Sequence, residues 1–435
     1  MDNVIVAGVC GGRENAIVDV LCQSDAVGQV YVNTPNPGAL ALGAKDLGVG
    51  ADDYPAVVQA AKRLRAFVVI GPELPLVEGL ADMLRAEGVA VFGPGAEAAA
   101  LEGSKAYATE FMRKHDIPQP DAHLITSLAG GKQLLATTGD AKSWVLKVDG
   151  LAGGKGVTLP DTPVDFMSDL ETMLEGGKKV VIQERLSGPE LSVFAVSDGK
   201  SFVVVPYFDQ DHKRLKDGDK GLNTGGMGAY GPVPDSIVAA WQRDKLYEIA
   251  EKVIKGSQAD GKPYVGVLYI GAILAKERGG NPVVIEFNCR WGDPEAEVLL
   301  PMIQGSGIDV YSDLLRPAAE GSLRPEKIRW QTSDTAALTV CLAAEGYPKS
   351  PVKGAVIHGL DTQYSGAKIY HGSTKRLDSG EVVADGGRIL YVTGYGKTID
   401  EAAKNAYAAI GKDGVHFAGM QYRKDIGYQA RKQEI

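Results

Sequence analysis

The chain has 435 residues, of which 44% are hydrophobic and 23% charged, and a net charge of −9. That length exceeds one hydrophobic core and implies two to four domains, and the composition is that of a soluble globular protein. The acidic balance excludes nucleic acid as the main partner, since that role needs a basic face. A site for small anions would have to be assembled locally from cations and backbone N–H groups.

No apolar run reaches the 18 residues of a membrane-spanning helix, so no membrane partner is expected. The opening stretch "MDNVIVAGVCGG" has neither the basic region nor the long apolar run of a signal peptide. The four cysteines, Cys10, Cys22, Cys289 and Cys341, form no C-x-x-C pair and keep no company of histidines. A thiolate metal site and a disulfide framework are both disfavoured, and a reducing cytoplasm is the expected compartment.

Residues 1–103 alternate strand and helix: "NVIVAGV", "ENAIVDVLCQ", "GQVYVN", "DYPAVVQAAKRLR", "AFVVIGPE", a single helix over "PLVEGLADMLRAEG", then "VAVFGP". Such alternation predicts a parallel, Rossmann-like sheet with crossover helices, with ligands at the carboxyl ends of its strands. Residues 104–331 have a different texture. Ser104 is placed to cap a helix ending before Pro118. A small α+β unit over about residues 120–192 reads as an insertion. The stretch "DQDHKRLKDGDKGLNTGGMGAYGPVP" is poor in aliphatic side chains and predicts a long functional loop. Residues 332–435 are β-rich and close with a helix over "TIDEAAKNAYAAIGK", which predicts a C-terminal α+β domain.

Three stretches carry candidate chemistry. In "VLKVDGLAGGKGV", Lys147 lies on a strand and Lys155 in a loop with Gly150, Gly153, Gly154 and Gly156. Such a loop lets backbone N–H groups approach phosphate oxygens. It lacks Walker A spacing, and a plain hairpin turn accounts for it equally well. In "VVIQERLSGPELS" an apolar strand ends at Glu184 and leads to Glu190, a pattern that suits an adenine and ribose hinge or two solvated loop carboxylates. In "VVIEFNCRWGDPEAE" strand alternation puts Ile285, Phe287 and Cys289 on one face and Glu286, Asn288 and Arg290 on the other. A solvated outer face explains that alternation. So does a magnesium site, since magnesium takes one or two carboxylates and neutral oxygens, beside a guanidinium that grips a carboxylate or phosphate.

The co-occurrence of these stretches with "LEGSK", "DQDHKR", "NTGGMGAYGP", "EGYP", "GAVIHGL", "GGRILYVTGYGKTIDEAAKNAY" and "RKDIG" resembles the phosphoribosylamine–glycine ligase family of the ATP-grasp superfamily, nearly end to end. The resemblance implies an ATP-grasp core with a mobile lid. It implies ATP-dependent ligation of glycine to 5-phosphoribosylamine through a glycyl phosphate, by a cytoplasmic monomer or weak homodimer.

On the family pattern Glu286 and Asn288 would hold Mg2+ or Mn2+. Lys105 and Lys147 would contact the ATP phosphates, and the flap Gly153, Gly154, Lys155 and Gly156 would close over them. Glu184, Leu186 and Glu190 would lie at adenine and ribose. Arg290, Lys213 and Asp211 would act in catalysis. Gly12, Arg13, Glu14, Asn223, Gly225, Gly226, Met227, Gly228, Asp293 and Glu295 would line the substrate site.

The chain departs from the family pattern at Asn15, where G-G-R-E-H-A has a histidine, at the turn Pro35–Gly38, at Arg185 and at Trp291. Asn15 cannot titrate near neutral pH. Two rivals share much of the same pattern: an ATP-grasp ligase with another carboxylate or amine, and a nucleotide-binding sensor without ligase activity. A dinucleotide oxidoreductase would need G-x-G-x-x-G after the first strand, which "GVCGGREN" does not supply.

Overall fold

The computed structural model of the protein describes residues 1–152, 156–331 and 335–431. The first hundred residues form β1 (Asp2–Val9), α1 (Gly12–Cys22), β2 (Val27–Thr34), α2 (Pro37–Ala41), β3 (Lys45–Asp46), α3 (Tyr54–Leu64), β4 (Phe67–Ile70), α4 (Glu73–Val77), α5 (Leu80–Ala86), β5 (Val91–Phe92) and α6 (Ala96–Gly103). The strands pair in parallel in the order β3-β2-β1-β4-β5. Both faces of the central strands are apolar, as a sheet covered on two sides requires. Ile5, Ala7, Val68 and Ile70 pack with Val57, Ala61, Leu80 and Leu84 on one face. Val4, Val6, Phe67 and Val69 pack with Ile17, Val20 and Leu21 on the other.

The single helix expected over residues 75–88 is two. Gly79 takes a left-handed φ of 89° between α4 and α5, a backbone state that glycine alone adopts without cost.

Ser104 caps α7 (Lys105–Lys114), its hydroxyl accepting from the Tyr107 N–H at 3.1 Å. There follow β6 (Ala122–Ile125), α8 (Leu128–Thr138), β7 (Trp144–Val148), β8 (Val157–Thr158), α9 (Pro163–Leu174) and β9 (Val180–Glu184). They form an antiparallel sheet, β6-β9-β7-β8, over a small core of its own that includes Trp144, Leu146, Phe166, Leu170 and Ile182.

The chain continues through β10 (Glu190–Asp198), β11 (Phe202–Val204), β12 (Gln210–Asp211), β13 (Arg214–Lys216), β14 (Lys220–Asn223), β15 (Gly228–Gly231), α10 (Ala240–Ala259), β16 (Val265–Ala275), β17 (Asn281–Asn288) and α11 (Ala296–Gly305). The sheet β11-β10-β16-β17 is antiparallel and carries the late polar strand at its edge.

The C-terminal part comprises β18 (Ala336–Ala343), β19 (Ile357–His358), β20 (Ala367–His371), β21 (Thr374–Arg376), β22 (Val382–Ala384), β23 (Arg388–Gly396), α12 (Ile399–Ala408) and β24 (His416–Phe417). Its main sheet runs β12-β15-β18-β23-β20. The stretch expected to be one long loop over residues 209–234 is therefore mostly paired. β13 and β14 form a hairpin, and β12 and β15 extend the C-terminal sheet. Local composition hid this, because the partner strand β18 lies a hundred residues further along.

A second correction concerns β17. Gly271 pairs with Glu286 and Ala272 with Val284, so Ile285 is an extra, bulged residue. The bulge changes the phase of the strand. Val284, Phe287 and Cys289 enter the main core, whereas Ile285 packs with Val283 and Leu186 on a smaller apolar cluster. Ile285 thus does not share the face of Phe287 and Cys289. Among the described residues no helix is long and apolar enough to cross a membrane.

Candidate active site

In an open parallel sheet the strand order reverses at a switch point, and ligands bind outside it. Here that point lies between β1 and β4. Arg13, in the first turn of α1, and Glu73, which opens α4, stand on either side of it. Both line a cavity of about 380 Å³, together with residues from α7, β7, the β12–β14 region, β17 and β23. That volume is in the range of small-ligand sites.

Cations crowd this cavity. Lys105 Nζ donates to the Gly150 carbonyl at 2.8 Å, and Lys147 Nζ donates to the carbonyl of the bulged Ile285 at 2.8 Å. The bulge thus supplies an acceptor outside the regular strand pairing. Lys213 pairs with Glu286 at 2.9 Å. Arg290 is held by Glu73 at 3.3 Å and Glu102 at 3.0 Å, and donates to Asn288 Oδ1 at 3.1 Å. Glu102 also accepts from the Cys289 N–H and thiol.

Burial lowers Lys147 to about 8 against the pull of Glu286, and lowers Lys105 as well. The neighbouring Lys213, with lesser help from Lys147, holds the Glu286 carboxyl down to about 2. Burial opposes the Lys213 charge, but Glu286, Tyr269 and Asp211 outweigh it and raise its pKa. Asp211 is pushed well above the usual carboxylate range by burial and by Glu295.

Glu286 and Asn288 both face the cavity. An ionised carboxylate and a carboxamide oxygen two residues apart fit the sparse oxygen set that Mg2+ or Mn2+ takes from a protein, the remaining positions going to water and phosphate. The described residues contain no group of three or more His, Cys, Asp or Glu arranged for a metal.

The other residues singled out in the sequence fall into two groups. Arg13, Lys105, Lys147, Gly156, Asp211, Lys213, Asn223, Gly225, Glu286, Asn288, Arg290, Asp293 and Glu295 line the cavity. Gly12, Glu14, Glu184, Leu186, Glu190, Gly226, Met227 and Gly228 are not among its lining residues. Gly153, Gly154 and Lys155 lie outside the described residues.

Several of the second group have evident packing reasons. A Cβ on Gly12 would lie 2.3 Å from Glu297 and from Tyr391. Glu14 accepts from the Gly11 N–H at 2.9 Å and from Arg13 at 2.7 Å. Glu184 pairs with Arg278 at 2.6 Å, and Met227 is fully buried. Glu190 is exposed, yet its charge acts on Lys147, Lys213 and Asp211.

Asn15 faces away from this chemistry. Its Oδ1 accepts from the His371 N–H at 2.7 Å, while Asn36 donates to the His371 carbonyl at 2.6 Å. Position 15 therefore joins α1 to β20. Sequence reasoning missed Glu73, Glu102, Gln183, Tyr269 and Arg388, all of which line the cavity. Glu102 stands inside the quoted "LEGSK" and Arg388 inside "GGRILYV", but nothing local distinguishes them from surface charges.

Models of the phosphoribosylglycinamide synthetase N domain, ATP-grasp (A) domain and C domain match residues 2–102, 103–296 and 337–429. The chain belongs to the phosphoribosylglycinamide synthetase family. Family relatives include the phosphoribosylamine–glycine ligases of Mesorhizobium japonicum, 40% identical with 99% of each chain covered, and of Escherichia coli K12, 39% identical with 98% of each covered. The crystal structure of the phosphoribosylamine–glycine ligase of Thermotoga maritima superposes with a TM-score of 0.82 at 32% identity, covering 98% of this chain and 100% of that one. Biotin carboxylase from Campylobacter jejuni shares the fold alone, with a TM-score of 0.71 at 15% identity, over 98% of this chain and 93% of that one.

Proposed function

We propose that this chain joins glycine to 5-phosphoribosylamine at the expense of ATP, a step of purine biosynthesis, and that the chemistry occurs in the cavity between Lys147 and Arg290. A glycine carboxylate oxygen attacks the γ-phosphorus and ADP leaves, giving glycyl phosphate. The amine nitrogen then attacks the glycyl carbonyl carbon, loses a proton, and phosphate departs. The products are glycinamide ribonucleotide, ADP and phosphate.

The single observation that carries the reading is the convergence of Lys105, Lys147, Lys213 and Arg290 on one cavity around an ionised Glu286. A phosphoryl group in transfer needs positioning and charge neutralisation rather than a protein nucleophile. Lys105 and Lys147 are assigned to the phosphates, Glu286 and Asn288 to Mg2+ or Mn2+, and Arg290 to the glycine carboxylate or its phosphate. Held there, the cation would supply neutralisation of phosphate charge. Lys213, Asp211, Asn223, Asp293 and Glu295 are assigned to the acceptor side. The sheet β6-β9-β7-β8, with its separate core, is assigned as the lid that keeps water from the acyl phosphate.

Glu286→Ala and Lys147→Ala are expected to lower ADP formation in the presence of both substrates by about 100-fold or more, with the far-ultraviolet spectrum unchanged. Full turnover by either folded variant would refute the assignment.

A further inference from the structure

Among the described residues, the C-terminal part contributes one cation to the cavity wall, Arg388 at the start of β23. Its Nη1 donates to the Gly225 carbonyl at 2.8 Å and to the Asp293 carbonyl at 2.8 Å. It also lies 3.0 Å from the Asp293 carboxylate and 3.5 Å from the Gly226 carbonyl. Tyr347, from the same part of the chain, accepts from the Gly225 N–H at 3.1 Å. Both polar groups of the Gly225 residue are therefore gripped from outside the central domain. The approach is close: a Cβ on Gly225 would lie 3.1 Å from the Arg388 guanidinium carbon. The Arg388 guanidinium lies 5.6 Å from the centre of the Tyr391 ring, which limits its lateral freedom.

We infer that Arg388 is a positioning residue for the acceptor side of the reaction. It clamps the turn that carries Asn223 and Gly225 onto the turn that carries Asp293, with Tyr347 as the second jaw, and so fixes the distance between two walls of the substrate site. All of the Arg388 contacts to these turns run from Nη1, which lies one bond further from the backbone than a lysine ammonium reaches. Lysine at this position therefore keeps the charge but cannot meet the same acceptors without movement of the turns. Lys105 and Lys147, assigned above to the ATP phosphates, bond to the Gly150 and Ile285 carbonyls, outside the clamp, so KM for ATP is expected to respond least. The inference rests on the site assignments above, which put Asn223 and Asp293 against glycine and phosphoribosylamine.

The test compares Arg388→Lys, Tyr347→Phe and Asn223→Ala by steady-state kinetics in all three substrates, with melting temperatures in parallel. Arg388→Lys is expected to raise KM for glycine and phosphoribosylamine about tenfold while KM for ATP stays within about twofold, and Tyr347→Phe to do the same more weakly. Unchanged KM values in both clamp variants, alongside an impaired Asn223→Ala, would overturn the clamp and leave the site assignments standing. An equal loss toward all three substrates with a lowered melting temperature would overturn it too, as a general structural role. An Asn223→Ala variant with unaltered KM values would overturn the site assignments and the clamp with them.

Discussion

Lys147 shows how one side chain couples burial to chemistry. Taking the ammonium out of water lowers its pKa to about 8, so the cation is present below that pH and is lost as pH rises through it. If the charged form holds ATP phosphate, kcat/KM for ATP falls above about pH 8 in the free enzyme. Lys147→Arg keeps its charge throughout this range, and the alkaline limb should then disappear. A limb unchanged in the arginine variant would assign the titration elsewhere. Glu286 behaves oppositely: with its carboxyl near 2 it stays ionised across the working range and contributes no acidic limb. Asn15 illustrates a different lesson. Its sequence context put it at a substrate turn, yet its amide oxygen holds the backbone of β20, a bond that needs no titrating group, while its buried Nδ2 finds no partner among the described residues.

At the scale of elements, β17 carries the chemistry through a defect. Strict alternation was legible in "VVIEFNCR", and Glu286, Asn288 and Arg290, grouped on one face, do line the cavity, although Ile285 and Phe287 from the expected opposite face line it too. It could not show the bulge at Ile285, because a bulge is a property of two strands and the second, β16, is not marked by any signal in β17. Gly271 on β16 makes the arrangement possible: a Cβ there would lie 2.7 Å from Glu286 Cγ and 3.4 Å from its Oε1. Gly271→Ala is expected to cost about 1–3 kcal/mol of stability through overpacking, measured by urea denaturation. It should also displace Glu286, so that activity at saturating ATP drops in the fraction that remains folded. The break between α4 and α5 has the same moral. The apolar spacing of residues 75–88 is helical throughout, and only the left-handed Gly79 separates the two pieces.

Across the whole molecule the parallel sheet of the first hundred residues was legible in its four strands with longer apolar runs, because each strand and its crossover helix are neighbours in sequence, whereas the two-residue edge strand β3 was too short to show. The assembly of the cavity was not, since its walls meet through contacts spanning tens to hundreds of residues, as between Arg388 and Gly225. Arg423 makes a parallel case far from the chemistry. Its side chain is fully buried and bonds Asp219 at 2.7 Å, Asp425 at 2.8 Å and the Arg214 carbonyl at 3.2 Å, fastening the β13–β14 hairpin to the end of the chain. Arg423→Met strands Asp219 and Asp425, which are partly exposed, so the cost falls toward the lower end of that for a broken buried pair, about 3 kcal/mol. Chemical denaturation of the folded variant measures it.

The sheet that runs through β12 and β15 into β18 has a further implication for how small this enzyme can become. Cutting after residue 331 removes β18 and strips one long side of β15, leaving unpaired backbone amides and carbonyls on a strand whose residues are all buried in the intact chain. A naked edge of that kind recruits other chains. A fragment ending at residue 331 is therefore expected to sediment as self-associated material, and this chain to be indivisible at that seam.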